Sequence, residues 1–460
     1  MQGKIAGYLV LLGFRGFSDY IAAMPNDFGG AAAAAPESRI NGRPLRVLML
    51  TDYFPKPTLP AMGIWALEQA RAMVAAGAEV LVISPTSWIP PLLGKLRPAR
   101  AFAQCPREHQ WPGGVTAKYP RWFFYSVGPV MRLWYRRPAL ALRLGWWTLR
   151  RRLIREIKRW KPDVIFPHHT VPGGMLALRL KRKFSLPYVV QDFDFGAIES
   201  CEQHLARRRA FERVAAEAWA MAGASKRMAD ALEKLVHPTR TMPLYTGTRR
   251  ISEEIRQNPP PAELRGKTVI FSAAIFYERK GIPLMVEAFA SIAKKFPEAV
   301  LRIGGDGHER PAIEAAIARA NLGDRIQLLG LLDHQRVLQE MVWSDIFMLI
   351  GWEEPFATVY LEAMSAGKPI ICCDDGGICD VLVDYLHGIV VPPKNVKAAA
   401  DALEELLENK DLRLRMGQAA TALFEERLTT EAAARTLLGL LNAAASPAPP
   451  PRQAALVPQP

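Results

Sequence analysis

The chain has 460 residues, of which 50% are hydrophobic and 23% are charged, a composition typical of a water-soluble protein. Because one hydrophobic core rarely holds more than about 250–300 residues, two domains are expected. The formal net charge of +14 is concentrated in residues 95–161, which contain seventeen Lys and Arg but only two acidic residues, Glu108 and Glu156.

The cysteines argue against a protein held together by disulfides. They are odd in number, and none lies at a metal-ligand spacing from a histidine: Cys105, Cys201, Cys372, Cys373 and Cys379. A reducing compartment, the cytoplasm, is therefore expected. No run of eighteen apolar residues is found along the chain, so we do not expect it to cross a membrane.

Both ends of the chain are expected to be disordered. Residues 1–43 contain a short apolar run and the stretch GGAAAAAPES, and we interpret them as a disordered leader. A weak secretory signal and a misassigned start site are alternative interpretations of this region. Residues 446–460 are rich in proline and are expected to form a disordered tail.

Between these ends, residues 44–248 alternate short apolar segments with segments of helical spacing. A helix is predicted at about 63–75, and strands are predicted at 45–50, 78–83, 163–167, 187–191 and 219–224. Strands and helices that alternate at this spacing form a parallel, doubly wound sheet. This first domain includes the region 95–161, which we interpret as a basic aromatic insert.

A second domain of the same class follows a polar linker at 249–267, which contains three consecutive prolines. Within this domain, residues 268–428, strands are predicted at 268–272, 299–303, 325–329, 345–350 and 388–392. We therefore expect an α/β protein of two Rossmann-like doubly wound parallel-sheet domains facing a cleft, with ligand at the carboxyl ends of the strands. A helix at 429–445 is expected to cross back to the first domain.

The segment EPFATVYLEAMSAGKPI, which begins at Glu354, is the most informative stretch of the second domain. It follows a strand and starts a helix near Thr358, so a diphosphate can rest on the backbone of Phe356, Ala357 and Thr358 at the positive end of the helix dipole. Carboxylates accept hydroxyl hydrogen bonds. Glu354 is therefore expected to reach sugar hydroxyls, and Glu362 is expected to reach a ribose.

Three shorter motifs follow strands in the same half: ERKG at 278–281, GGDG at 304–307 and DGGI at 375–378. Together with the segment that begins at Glu354, this ordered set resembles the retaining glycosyltransferases of the GT-B fold, specifically the group 1 class, also called family 4. The resemblance extends over about 269–440 and covers the first half of the chain more loosely.

The resemblance implies roles for individual residues. Lys280 matches the family lysine that contacts the donor diphosphate, where a fixed cation stabilises the charge that grows on the leaving group. Glu354 matches the residue that touches the donor sugar, and Glu362 matches the one that binds the ribose. Lys280 and Glu354 are thus the expected catalytic residues.

Further donor contacts are implied by the same resemblance. Gly63 lies where the family's glycine-rich loop approaches the donor, and Gly376 and Gly377 can bring backbone close to phosphate or sugar. The family usually carries an arginine at the position of Ala274. Arg279 could replace it, although neighbouring side chains in a loop seldom point the same way.

Four side chains at strand ends of the first domain are candidate acceptor or sugar contacts: His168, His169, Asp192 and Asp194. Structural hydrogen bonding is the other interpretation of the histidines. The family often places a histidine where Phe193 stands here, so the two aspartates could take over its polar contacts. The spacing of the aspartates resembles a metal-binding DxD sequence, but this fold holds no metal at that strand end. We therefore expect neither a metal nor another cofactor.

Aromatic and basic residues interleave within 95–161. Five apolar residues there follow helical spacing and are expected to pack on the sheet: Leu142, Trp146, Leu149, Leu153 and Ile157. The arginines beside this stripe would attract anionic lipid headgroups, and tryptophans favour the membrane interface. Peripheral attachment to the inner face of a membrane is therefore a candidate interaction, whereas nucleic acid binding is supported by charge alone.

We therefore expect a retaining, metal-independent glycosyltransferase that moves a sugar from a nucleotide-diphosphate sugar to a glycan or lipid-linked glycan acceptor. Ala274 and Phe193 leave an alternative, a non-catalytic nucleotide-sugar-binding or membrane-surface scaffold of the same fold. A dinucleotide oxidoreductase is a second alternative. Residues 52–55, however, read DYFP after the first strand, where that class carries a glycine fingerprint.

Overall fold

The computed structural model describes residues 38–60, 62–95, 97–123, 132–134 and 136–446. The disordered leader predicted at 1–43 lies outside the described residues up to position 37. The disordered tail predicted at 446–460 lies outside them from position 447 onwards.

The last residues of the predicted leader form a hairpin. Arg39–Ile40 pairs antiparallel with Arg43–Pro44 across an Asn-Gly turn, a dipeptide that favours two-residue turns. Arg43 also pairs with Asp163, with 2.6 Å between the guanidinium and the carboxylate, which ties the hairpin to the first domain. Residues 39–44 are therefore structured, although the sequence analysis assigned most of them to the disordered leader.

The sheet of the first domain is mostly parallel. Its strands are β1 (Arg46–Leu50), β2 (Glu79–Ile83), β3 (Glu108–Trp111), β4 (Val115–Lys118), β5 (Val164–Pro167), β6 (Val189–Asp192), β7 (Ala220–Gly223) and β8 (Thr241–Pro243). Their spatial order is β3-β4-β2-β1-β5-β6-β7-β8, with β5 and β6 joined by isolated bridges. The central strands are buried on both faces, which explains their continuous apolar sequences.

The sheet of the second domain is parallel throughout. Its strands are β9 (Thr268–Ala273), β10 (Ala299–Gly304), β11 (Ile326–Gly330), β12 (Ile346–Leu349), β13 (Ile370–Cys373) and β14 (Gly388–Val391). The spatial order is β11-β10-β9-β12-β13-β14. The order reverses between β9 and β12, and ligands of doubly wound sheets bind at such a switch point.

Helices cover both sheets. They are α1 (Ile64–Ala75), α2 (Arg97–Gln104), α3 (Pro138–Trp160), α4 (Met175–Phe184), α5 (Phe195–Gln203), α6 (Leu205–Ala215), α7 (Lys226–Val236), α8 (Glu253–Gln257), α9 (Ile282–Ile292), α10 (Arg310–Ala320), α11 (His334–Trp343), α12 (Thr358–Ser365), α13 (Val396–Glu408), α14 (Lys410–Leu423) and α15 (Thr430–Ala445). None of the described helices is long and apolar enough to span a bilayer.

The region 95–161 forms part of the framework of the first domain and is not a simple insert. It contains α2, the antiparallel hairpin of β3 and β4, and α3. The hairpin was not predicted, although the turn sequence Pro-Gly-Gly at 112–114 was an available signal. Of the five residues predicted to form the packing stripe of α3, all are buried except Trp146, which is half-buried.

The chain passes between the domains at two neighbouring places. The predicted linker at 249–267 contains α8, which Ser252 caps by accepting a hydrogen bond from the Ile255 N–H. Beside it, Thr248 and Thr429 form a parallel bridge. After this second crossing, α15 packs against α1 and joins the core of the first domain through Leu437, Leu438 and Leu441.

Candidate active site

Contacts between the domains hold the loop after β13 against the first domain. At the start of α7, the backbone N–H of Lys226 donates to the carboxylate of Asp380, and Arg227 Nη1 donates to the Asp375 carbonyl at 3.0 Å. Arg227 also lies 3.6 Å from the carboxylate of Glu353. These contacts hold the loops after β12 and β13 of the second domain against the start of α7 in the first domain.

The carboxylate of Glu354 contacts two cationic side chains. It is only 3% exposed, and its Oε1 lies 2.7 Å from Lys280 Nζ. Arg279 Nη1 donates to the same carboxylate oxygen. The structure therefore brings the predicted catalytic pair, Lys280 and Glu354, into direct contact at the carboxyl end of β12.

Arg279 and Lys280 point the same way, contrary to the expectation for neighbouring loop residues. Residues Glu278–Lys280 form a 3-10 turn. The backbone of this turn is bonded to the loop after β12, because the Trp352 N–H donates to the Arg279 carbonyl at 2.9 Å. The tight turn presents both side chains to Glu354. Arg279, considered in the sequence analysis as a replacement for the arginine missing at Ala274, therefore contacts the same carboxylate as Lys280.

Burial changes the acid–base chemistry of Lys280. Its side chain is 12% exposed, and this desolvation lowers the pKa of Lys280 although the charge of Glu354 acts in the opposite direction. The carboxylate therefore holds a cation that has little water around it. A cation of this kind interacts strongly with an anionic group that replaces the missing water.

The loop after Glu354 leads into α12. Ala357 is the N-cap residue and has no side-chain oxygen, and Thr358 is exposed at the first turn. The first N–H groups of such a helix carry about half a positive charge. The side chain of Phe356, whose backbone is a predicted donor contact, is buried against Tyr245 of the first domain, with ring centroids 5.0 Å apart.

Glu362 is buried one turn into α12, with 8% of the residue exposed. Its Oε1 lies 2.8 Å from Nε2 of His334, the first residue of α11. Burial alone would lower the pKa of His334, but the hydrogen bond and the charge of Glu362 outweigh it, so this pKa is raised. The charges of Glu68, from the first domain, and of Arg249 also act on His334.

His334 was missed by the sequence analysis. It is separated from Glu362 by 28 residues, and only the packing of α11 beside α12 brings the two together. The one local signal was Asp333, which caps α11 by accepting a hydrogen bond from the Arg336 N–H at 2.7 Å. That signal indicated a helix start and no functional role.

The predicted donor-site glycines permit close packing of loops. A Cβ on Gly377 would lie 1.8 Å from the Pro355 carbonyl oxygen and 2.7 Å from the Cβ of Ser225. A Cβ on Gly63 would lie 2.3 Å from the Tyr53 carbonyl oxygen, and its φ of 73° also requires glycine. Gly376 is less confined, because its nearest such neighbour is 3.3 Å away.

His168 lies in an aromatic enclosure in the first domain. It is fully buried, and its ring centroid is 5.0 Å from those of Trp65, Phe166 and Phe193. Neither ring nitrogen has a hydrogen-bond partner within the described part of the chain. Burial, together with the charge of His169, holds the pKa of His168 well below its ordinary value, so the imidazole is neutral.

The other candidates of the first domain have different surroundings. His169 is 22% exposed, and its Nδ1 lies 3.9 Å from Asp192 Oδ1. Asp192 is fully buried and accepts hydrogen bonds from the N–H and the hydroxyl of Thr170 at 2.9 and 2.6 Å. Asp194 is exposed and caps α5 by accepting from the Gly196 N–H at 2.9 Å. His169 and Asp194 are therefore the accessible members of this set.

The two aspartates do not converge, because Asp192 holds Thr170 and Asp194 holds the start of α5. Across the residues that the structure describes, no group of three or more His, Cys, Asp or Glu side chains is arranged to hold a metal ion.

Two family models match the chain, one in each half. Residues 252–423 match the family described as Glycosyl transferases group 1, and residues 61–247 match the Glycosyl transferase 4-like domain. The chain belongs to the group 1 glycosyltransferases. The resemblance inferred from the ERKG, GGDG, DGGI and EPFATVYLEAM sequences is therefore confirmed.

Individual relatives differ in how much they share with this glycosyltransferase. The alpha-D-kanosaminyltransferase of Streptomyces kanamyceticus is 31% identical over 161 residues, which are 35% of this chain and 42% of that protein. TuaC of Bacillus subtilis, named as a teichuronic acid biosynthesis glycosyltransferase, is 24% identical over 371 residues, 78% of this chain and 88% of TuaC. The chain thus spans less than half of the first relative and most of the second.

A solved structure shows the same fold. HepE of Anabaena in complex with UDP superposes with a TM-score of 0.62 at 15% sequence identity, over 85% of this chain and 98% of HepE. The predicted GT-B architecture of two Rossmann-like domains is confirmed.

Proposed function

We propose that this group 1 glycosyltransferase is a retaining, metal-independent enzyme that moves a sugar from a nucleotide-diphosphate sugar to a glycan or lipid-linked glycan. The observation that carries the proposal is the convergence of Arg279 and Lys280 on buried Glu354. Glu354 lies in the loop that follows β12 and starts α12, whereas the two cations come from the turn after β9, so two side-chain cations and a helix N-terminus serve one site. A diphosphate is the ligand that such a site favours.

In the proposed reaction, the bond between the anomeric carbon of the donor sugar and the diphosphate oxygen breaks. The acceptor hydroxyl attacks that carbon from the same face, and the departing phosphate oxygen takes the acceptor proton. Negative charge grows on the diphosphate as the bond breaks, so the pre-positioned cation of Lys280 stabilises the transition state more than the ground state. Both contacts of Glu354 with its cations use Oε1, and we propose that Oε2 accepts a sugar hydroxyl.

Glu362 serves the nucleotide in this proposal. Its contact with His334 fixes the carboxylate at the first turns of α12, from where it is expected to accept hydrogen bonds from ribose hydroxyls. HepE was solved with UDP and, in a second structure, with UDP-glucose, so uridine diphosphate is the first nucleotide to test. The proposed location is the cytoplasm, at the inner face of a membrane.

The proposal is tested by measuring UDP affinity and the release of nucleotide diphosphate from a panel of nucleotide sugars. We expect Lys280→Ala to lower turnover by about 100-fold or more, because it removes the cation at the leaving group. Lys280→Arg should recover part of that loss. Lys397→Ala removes an exposed lysine of α13 and is the matched control.

Full turnover by Lys280→Ala would overturn the proposed role of this residue. If the wild-type protein binds nucleotide sugars but neither hydrolyses nor transfers them, the non-catalytic scaffold suggested by Ala274 and Phe193 becomes the better description. Dependence of turnover on an added divalent cation would overturn the metal-independent mechanism.

A further inference from the structure

The amino-terminal half of α3 exposes three large apolar side chains on one side. Leu140, Leu144 and Trp147 are 40%, 43% and 73% exposed. Their spacing of four and three residues aligns them on one face of the helix. The stripe that packs on the domain, which includes Leu142 and Leu149, is buried, so the exposed row is distinct from the packing surface.

Two further large apolar side chains are exposed on loops near α3. Trp88 is 47% exposed and Phe123 is 39% exposed. The Phe123 N–H donates to Thr148 Oγ1 of α3 at 3.3 Å, and the Trp88 N–H donates to the carbonyl of Trp122, the residue before Phe123, at 2.9 Å. We call the combined surface the apolar face: Trp88, Phe123, Leu140, Leu144 and Trp147.

Exposed arginines lie close in sequence to the residues of α3 that form the apolar face. They come from the same helix and from the residues just before it: Arg136, Arg137, Arg143, Arg150 and Arg151. The sequence contains no Asp or Glu between Glu108 and Glu156, so no acidic residue within this region offsets them. Exposed apolar patches that are rimmed by polar or charged residues commonly mark interaction sites.

The apolar face lies at the cleft end of the first domain. The carboxyl end of α3 is at the opposite edge of the sheet, where the Trp160 carbonyl accepts a hydrogen bond from Arg46 at the start of β1. The helix rises about 20 Å between Trp160 and Trp147, whereas a strand of four residues is only about 13 Å long. Gly145 accordingly packs on Trp122, in the segment that follows the carboxyl end of β4.

We propose that the apolar face docks this protein on an anionic lipid bilayer. Leu144 and Trp147 enter the interfacial region, where tryptophan is favoured, and the surrounding arginines contact lipid phosphates. The link to catalysis rests on the proposed function, because a lipid-linked acceptor would then be presented from the bilayer to the nearby cleft. The docking itself requires neither donor nor acceptor.

A bilayer fits this surface better than the other partners that its composition allows. Nucleic acid would be held by the arginines, but it would leave the leucines on the helix face exposed. A second copy of the chain would cover the leucines, but it would bring two cationic rims together. An anionic bilayer offers both an apolar interior for the apolar face and negative charge for the arginines of the rim.

The test measures co-sedimentation of the full chain with vesicles of phosphatidylcholine alone and of phosphatidylcholine with about one-third phosphatidylglycerol. We expect partitioning into the anionic vesicles to exceed that into the neutral ones by more than about 100-fold, at about fivefold for each arginine near the surface. The double variant Leu144→Ser/Trp147→Ser should lower partitioning by about 30-fold or more, because it removes the inserted apolar area.

The triple variant Arg143→Gln/Arg150→Gln/Arg151→Gln tests the rim. It should lower partitioning into anionic vesicles by about 100-fold, at about fivefold for each arginine, and leave the weak binding to neutral vesicles unchanged. Matched controls lie in the second domain: Leu414→Ser on α14, where the leucine is 53% exposed, and Arg319→Gln on α10, where the side chain is 65% exposed. Both controls should bind as the wild type does.

Unchanged vesicle binding by the double variant would overturn the proposal. So would tighter binding to duplex DNA or RNA than to anionic vesicles, or a concentration-dependent dimer that the double variant abolishes. UDP affinity measured in solution should be the same in all variants. A wild-type protein that does not bind UDP would count against the proposed function. The vesicle-binding results would still test the docking proposal.

Discussion

The two walls of the cleft are built from different chemistry. On the second domain, Lys280 pairs with Glu354 and His334 pairs with Glu362. On the first domain, aromatic rings enclose the neutral imidazole of His168. Paired opposite charges suit a ligand whose charge changes during reaction, whereas aromatic packing fixes shape. On the proposed function, the second domain would therefore supply the electrostatic part of catalysis and the first domain would supply the shape of the site.

Removal of Glu354 should break the charged wall most severely. Glu354→Ala leaves buried Lys280 and its neighbour Arg279 without their shared partner. We expect the free energy of unfolding to fall by about 3 kcal/mol and turnover to fall by about 100-fold. Urea denaturation and the release of nucleotide diphosphate measure the two effects.

Glu353→Ala is the neighbouring control for this prediction. The Glu353 side chain is 56% exposed, so its loss should change the free energy of unfolding by less than about 0.5 kcal/mol. A Glu354→Ala protein as stable and active as the control would show that the buried cluster is not essential to the site.

A glycine substitution should disturb the charged wall through the backbone. Gly377→Ala places a methyl group 1.8 Å from the Pro355 carbonyl oxygen, which forces apart the loops that carry Glu354 and the 3-10 turn at Gly377–Asp380. We expect a loss of about 2 kcal/mol in unfolding free energy and a loss of about tenfold in turnover.

Gly376→Ala separates this packing effect from a direct donor contact. Its φ of −81° suits alanine, and its nearest neighbour, the Cys373 carbonyl oxygen, is 3.3 Å away, so Gly376→Ala should lose less stability than Gly377→Ala. If both glycine variants weaken UDP binding equally and neither loses stability, the glycines contact the donor and the packing explanation is wrong.

Much of this arrangement was predictable because the relevant signals are local. The strand, turn and helix around Glu354 are consecutive in the chain, and the ERKG motif also follows a strand. Both motifs therefore had to lie at the carboxyl edge of one parallel sheet. The convergence of Lys280 and Glu354 follows from that topology and from the adjacency of β9 and β12.

The missed features depend on packing between distant segments. His334 becomes relevant only because α11 lies beside α12, and no local pattern predicts that neighbour. The edge strand β3 reads EHQW, which lacks the apolar alternation that marks a strand. Its partner β4 supplies the pairing that its own sequence does not indicate.

The His334–Glu362 pair should give the charged wall a measurable pH dependence. Because the pKa of His334 is raised on folding, the pair contributes stability below the ordinary histidine pKa of about 6.5 and loses it as pH rises through the higher folded-state pKa. The difference in unfolding free energy between wild type and His334→Gln should therefore be largest near pH 6 and decline towards about pH 9. More than a third of the side chain is exposed, so screening keeps the effect below about 1 kcal/mol.

His387 provides a control with the opposite sign. Burial lowers the pKa of His387, so its neutral form is favoured in the folded protein and its stability contribution is lost as pH falls. Urea denaturation of His387→Gln across the same pH range should therefore show the reverse trend. Parallel trends in the two variants would indicate that the His334–Glu362 pair does not control the pH dependence.

The smallest effect is expected on the first-domain wall, at His168. Replacing a buried polar group that has no partner by an apolar group of similar size is often neutral or stabilising. His168→Leu should leave the free energy of unfolding unchanged or raise it by up to about 1 kcal/mol, with UDP affinity and turnover nearly those of the wild type. If turnover instead falls about tenfold while stability and UDP affinity hold, the imidazole acts on the acceptor. The first-domain wall would then contribute chemistry as well as shape.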